Sequence, residues 1–251
     1  MSFAVSAEAY DRFMGRYSGP LSPLFADFAG IADTQRVLDV GCGPGALTSE
    51  LVSRVGASNV TAVDPSSSFV DSIGARLPGV RVERASAEAL PFPDGTFDAV
   101  MAQLVVHFMT DPLGGVREMS RVARRGGTVA ACVWDHGGGR GPLSAFWELV
   151  AEVDPAAPGE WMLPGATEGD LARIFTAAGL SVVEDTLLTV EVDHPSFQDW
   201  WEPYTLGVGP AGAYVASLDE GQRERLRVAC EERLVPPFTV SAFAWAARAV
   251  V

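Results

Sequence analysis

Two acidic residues stand where a chain can grip a small ligand. The first lies in RVLDVGCGPGALTSEL, residues 36–51. A short apolar run from Arg36 to Val40 carries Asp39, and a glycine cluster follows at Gly41, Gly43 and Gly45. Ala46, Leu47, Leu51 and Val52 then recur at helical spacing, so the stretch reads as strand, tight turn, helix. Glycines in such a turn let a ligand approach bare backbone at a helix N-terminus. The dinucleotide fingerprint spaces its glycines G-x-G-x-x-G. Here they run G-x-G-x-G, and an acid precedes the first by two positions. A carboxylate there repels a pyrophosphate and attracts an ammonium group. The second acid, Asp64, ends the apolar run Val60 to Val63. It follows the glycines by about 20 residues, the spacing at which an acid meets ribose hydroxyls. A carboxylate accepts two hydrogen bonds from a vicinal diol, which suits the residue type. The competing readings are an ordinary glycine-rich loop for the first stretch and a helix cap for Asp64.

The G-x-G-x-G string, with its preceding acid, resembles the first motif of class I S-adenosylmethionine-dependent methyltransferases. The resemblance is supported by motifs over residues 36–135 and by element order beyond them. It implies S-adenosylmethionine as cofactor, held by Asp39, Gly41, Gly43 and Asp64. Pro65 starts the next helix, and Phe69 matches the place of a bulky apolar residue beside adenine; a plain core role is its alternative. In ASAEALPFPDGTFDAVMAQLVVHFM, residues 85–109, family members commonly carry Asp where this chain has Ser86. That departure passes the adenine contact to Glu88 or to the backbone N–H of Ala87. Gln103 follows the fourth strand, where the family touches the cofactor. His107, four residues on, falls where that strand's end faces the cofactor sulfur. An imidazole titrates near neutral pH, so His107 is the catalytic candidate, as general base; a structural histidine is the alternative. Trp134, Asp135 and His136 stand where the family meets acceptor substrates; solvated loop residues are the alternative. Members of this type often close an N-terminal segment over the cofactor, which makes Arg16 and Tyr10 candidates to hold its carboxylate.

The elements that must position these residues read as an α/β chain. Tyr10, Phe13, Met14 and Tyr17 mark one face of an N-terminal helix, and Pro20 to Ala29 reads as a second helix. Val80 to Arg84 is a third strand, Phe97 to Ala102 a fourth and Thr128 to Trp134 a fifth. Helices are expected over 111–122, 146–153 and 171–178, the second ending at PAAPG. Leu180 to Val192 alternates as a sixth strand, and Phe238 to Val250 completes the sheet as an antiparallel seventh strand at its edge. The expected fold is therefore doubly wound: a seven-stranded Rossmann-like methyltransferase sheet with an antiparallel last strand, N-terminal helices and a helical lid insert. The organisation is a single domain over 1–251, with a helical cap at 1–30 and the lid insert at 194–236 between the last two strands. Phe197, Trp200, Trp201 and Tyr204 give that insert an apolar surface, either a cover over an acceptor pocket or plain core. Asp219 to Leu234 reads as a charged amphipathic helix.

Composition narrows the partners. The chain has 251 residues, 48% of them hydrophobic, enough for one substantial core. Its formal net charge of −14 disfavours nucleic acid and anionic membranes. Cys42, Cys132 and Cys230 form neither a disulfide framework nor a zinc site, so no metal is expected. The start MSFAVSAEAYDRF has no basic region before an apolar core, so no signal peptide is expected and the reading is cytoplasmic, as monomer or homodimer. The expected activity is methyl transfer to an acceptor, most simply a small organic molecule. A nicotinamide oxidoreductase is disfavoured by Asp39 and the glycine spacing. A methyltransferase-like domain that holds the cofactor but serves another reaction or a partner is the remaining alternative.

Overall fold

The computed structural model describes residues 7–157, 159–181 and 183–251. The first six residues of the expected N-terminal cap, Pro158 of PAAPG and Val182 of the sixth strand lie outside the described residues. The chain opens with α1 (Ala7–Tyr10), a π-helical turn (Asp11–Gly15) and α2 (Arg16–Ala29). There follow β1 (Val37–Val40), α3 (Ala46–Val55), β2 (Val60–Asp64), α4 (Ser67–Arg76), β3 (Arg81–Arg84) and β4 (Phe97–Gln103). Then come α5 (Pro112–Val122), β5 (Ala123–Trp134), α6 (Ser144–Val153), α7 (Asp170–Ala177) and β6 (Glu184–His194). The insert supplies α8 (Phe197–Trp201), α9 (Gly209–Ser217) and α10 (Glu220–Arg233), and β7 (Phe238–Val250) ends the sheet.

The sheet has the order β3-β2-β1-β4-β5-β7-β6. Its centre is parallel because each βα connection returns the chain to the same edge, and all four residues of β1 are buried, as a strand covered on both faces requires. Strand order reverses about β1, with β2 on one side and β4 on the other. Crevices form outside the carboxyl ends of strands at such a point. One core, with α2, α3 and the insert, covers one face, and a second, with α5 and α7, covers the other.

Three expectations change. β7 is antiparallel as expected, but it lies between β5 and β6, so β6 forms the edge. A two-stranded antiparallel pair joined through the insert places its return strand inside. The N-terminal helices form one helical run through Pro20 and Pro23. Each proline inside a helix costs about 3 kcal/mol, but burial of Phe13, Met14, Tyr17, Leu21 and Phe25 along one face offsets that cost. Finally, β5 starts at Ala123 rather than at the expected Thr128, and its pairing with β4 carries a register irregularity between Phe97 and Ala99. Among the described residues no helix is long and apolar enough to cross a membrane.

Candidate active site

A crevice of about 560 Å³ opens at the carboxyl ends of β1, β2, β3 and β4. The glycine turn forms one wall. Gly41 sits at φ +68°, where a Cβ would stand 2.5 Å from a Val105 methyl group, so only glycine fits. Gly43, at φ +52°, has nothing within 4 Å of the place a Cβ would take. Its backbone therefore faces open space, as a cradle for a ligand requires.

Asp64 ends β2 at the crevice wall and is 7% exposed. One carboxylate oxygen accepts the Gly43 N–H at 2.9 Å and the other accepts the Ser66 N–H at 2.8 Å. Each oxygen keeps a lone pair for a further donor. Burial raises the Asp64 pKa, against the pull of those two N–H groups. Pro65 and Phe69 continue the wall, and Tyr10 meets Phe69 edge-on with centroids 5.6 Å apart. Ser86, Ala87 and Glu88 line the opposite side. Ser86 donates to Glu88, whose other oxygen accepts the Thr110 N–H at 2.8 Å. Burial pushes the Glu88 pKa up, but these hydrogen bonds outweigh it and hold the group low. Leu104 closes the floor with φ +62°, a strained conformation for a branched residue and one that clusters at functional sites.

Four expected contacts fall elsewhere. Asp39 is 1% exposed and does not line the crevice; its carboxylate lies beneath the glycine turn and accepts the Thr48 hydroxyl at 2.6 Å. Strand alternation turns it toward α3. Burial pushes its pKa up to about 7, Thr48 opposes that, and the Asp64 charge adds to it. Gln103 turns to α2, donating to Ser18 O at 3.1 Å and Ser22 Oγ at 3.0 Å. Arg16 is drawn to the insert, where it pairs with Asp199 at 2.8 Å beside His194. Asp135 is buried and anchors its own loop, accepting from Gly138 N, Arg140 and Trp245 Nε1.

His107, in a single 3₁₀ turn after β4, opens onto a smaller inner chamber of about 30 Å³. Tyr10, Leu104 and Phe108 wall both crevice and chamber. Trp134 and His136 also line the chamber, and the insert reaches it through Val208, Gly209 and Pro210. Burial, then the neighbouring His136, holds the His107 pKa well below its usual value. Burial takes His136 down to about 4, with Asp135 opposing. Sequence reasoning missed Glu160, a 4%-exposed carboxyl on the chamber wall that accepts Trp147 Nε1 at 2.6 Å. It stands in an irregular loop without periodicity, so no local signal marks it.

Comparison with known proteins follows the same division. Residues 38–131 match the family model described as a methyltransferase domain. An uncharacterized methyltransferase of Mycobacterium bovis is 38% identical over 135 residues, 54% of this chain and 52% of the relative. The chain thus spans about half the length of the curated relatives it matches. The YcgJ protein of Bacillus subtilis superposes with a TM-score of 0.59 at 19% identity, covering 91% of this chain and 97% of that one. A SAM-dependent methyltransferase from Aquifex aeolicus superposes at 0.52 with 25% identity, over 68% and 83% of the two chains. Residues 38–131, which hold the glycine turn and the acid at the tip of β2, are thus similar to the methyltransferase domain that the family model describes, and the sheet with its antiparallel β7 has the fold of these neighbours.

Proposed function

We propose that the crevice binds S-adenosylmethionine and that the chain transfers its methyl group to a small organic acceptor. The observation that carries this reading is Asp64, poised at the wall of the crevice with a lone pair free on each oxygen, opposite the bare backbone of Gly43. A ribose diol matches that acid, and the apolar face of Phe69 suits a purine. Gly41 and Gly43 leave room for the backbone to be approached, while Ala87 and Glu88 face the remaining edge. Asp39, buried under the turn with its pKa pushed up to about 7, adds negative charge there only once it ionises, and that charge favours a cationic ligand.

When bound, the cofactor supplies an activated methyl on a sulfonium, whose departure as a neutral thioether drives the reaction. What remains for the chain is alignment and exclusion of water. Tyr10, Leu104 and Phe108 line both cavities, so the two adjoin at an apolar boundary where an acceptor is brought against the methyl group of the donor. The negative charge of the chain and the apolar chamber both favour a small molecule over nucleic acid as acceptor. Retention of the protein in the cytoplasm and its state as monomer or homodimer belong to the same proposal.

Calorimetry with S-adenosylmethionine, its demethylated product and NAD tests the reading. The first two bind and NAD does not. Asp64→Asn keeps the shape of the side chain and weakens S-adenosylmethionine by at least about tenfold, the loss expected when a charged acceptor of two hydrogen bonds is neutralised. Unchanged affinity in that variant removes Asp64 from the site. Transfer of labelled methyl to a metabolite extract separates an enzyme from a domain that only holds the cofactor.

A further inference from the structure

Two residues that line the chamber carry buried polar atoms with opposite needs. His107 Nδ1 and Trp134 Nε1 are both shielded and, among the described residues, without hydrogen-bond partners. An indole N–H can only donate, whereas an imidazole of lowered basicity keeps one nitrogen as acceptor. Leaving such groups unsatisfied carries the full penalty of their lost hydration, so both being orphaned beside one cavity points to a ligand group. The chamber alone is too small for an organic molecule, at about 30 Å³. It shares His136 and Glu160 with an outer pocket of about 240 Å³ that opens beside Trp161, which is 45% exposed. The two together have a polar end inside and an aromatic mouth at the surface, formed by Trp147 and Trp161.

We infer that this compound pocket is the acceptor site and that it selects a neutral hydroxyl compound of phenol type, its hydroxyl shared between His107 and Trp134. The inference rests on the methyl-transfer reading and deepens it. A hydroxyl is a group that donates and accepts at once, as the pair requires. The ring then extends past His136 and Glu160 toward the outer pocket. Charge of either sign is penalised here: burial holds both histidines neutral and pushes the Glu160 carboxyl up to about 7, against the Trp147 hydrogen bond. An ammonium or carboxylate ligand meets the same penalty. In the reaction the hydroxyl oxygen forms a bond to the methyl carbon while the sulfur–carbon bond breaks and sulfur keeps the electron pair. The oxygen, briefly oxonium, is acidic enough to give its proton to the weakly basic His107, which returns it to solvent through the outer pocket.

Calorimetry with the full chain, saturated with the demethylated cofactor, reads the inference with three probes: phenol, toluene and benzylammonium. Phenol binds, and toluene, which fills the same space without the hydroxyl, binds roughly tenfold more weakly. Benzylammonium binds no better than toluene. Trp134→Phe and His107→Leu each weaken phenol by roughly fivefold to tenfold and leave toluene and the cofactor unchanged. Phenol that fails to bind, or that binds no better than toluene or benzylammonium, overturns the inference. So does phenol affinity indifferent to both variants. Since cofactor affinity is read in the same titrations, a chain that binds S-adenosylmethionine but fails these probes loses only the acceptor assignment, whereas one that does not bind it loses the underlying reading.

Discussion

At the scale of single residues, the site depends on what is absent from Gly41 and on what is buried in Asp39. Gly41→Ala places a methyl group 2.5 Å from Val105 and forces a side chain onto φ +68°. The expected loss is about 1–3 kcal/mol from overpacking alone, measured by denaturant unfolding. Val105→Ala in the same chain recovers the share due to the clash and not the share due to the backbone. Asp39 carries a linkage of definite sign. Its pKa rises from 3.8 in an unfolded chain to about 7 in the native state. Between those values the native chain holds a proton that the unfolded chain has lost, so stability falls as pH rises through the interval. Glu160, raised to about 7, adds in the same direction. Unfolding of Asp39→Asn across that range is expected to show a shallower decline; an unaltered slope would mean that Asp39 is ionised throughout.

Among the elements, α2 and the insert are joined by a cluster that takes Arg16 out of the cofactor crevice. Arg16 pairs with Asp199, Asp199 also meets His194 Nδ1 at 2.9 Å, and Tyr17 reaches His194 Nε2 at 3.0 Å. His194 ends β6, so the cluster fixes the N-terminal helix to the edge of the sheet and to α8. Burial pushes the Asp199 pKa up, but Arg16 and His194 outweigh it and hold the carboxyl low. Arg16→Ala is expected to cost about 1–2 kcal/mol of stability, seen as a lower thermal midpoint. Its affinity for S-adenosylmethionine is expected to stay within about twofold of the parent, in calorimetry. A large loss of affinity with unchanged stability would return Arg16 to the cofactor. Tyr10, before the π-helical turn, does reach the crevice wall.

On the scale of the whole molecule, the insert is more core than cover. Phe197, Trp200, Trp201 and Tyr204 are each at most 5% exposed, and Tyr204 packs on Phe13 and Phe146 of the main body. Trp200→Ala is expected to destabilise the entire chain by about 3–5 kcal/mol in denaturant unfolding. A loss confined to activity would instead mark a separable lid. Much of this architecture was legible in the residues alone. Glycine spacing, the acids at strand ends and alternating or helical periodicity are local signals, and they placed β1, β2, β4, β7 and the crevice residues Gly41, Gly43 and Asp64, while the resemblance to the family pointed to Phe69. Local signals do not encode which face of a strand meets which helix, nor which distant partner satisfies a buried polar group. Packing alone paired Asp39 with Thr48, turned Gln103 toward α2 and Arg16 toward Asp199, and placed β7 inside β6. Packing alone also brought Glu160 from an irregular loop to the wall shared by His107 and His136. Backbone conformation is set within a few neighbours, whereas hydrogen-bond pairing and exclusion of water are settled between segments that meet only when the chain has folded.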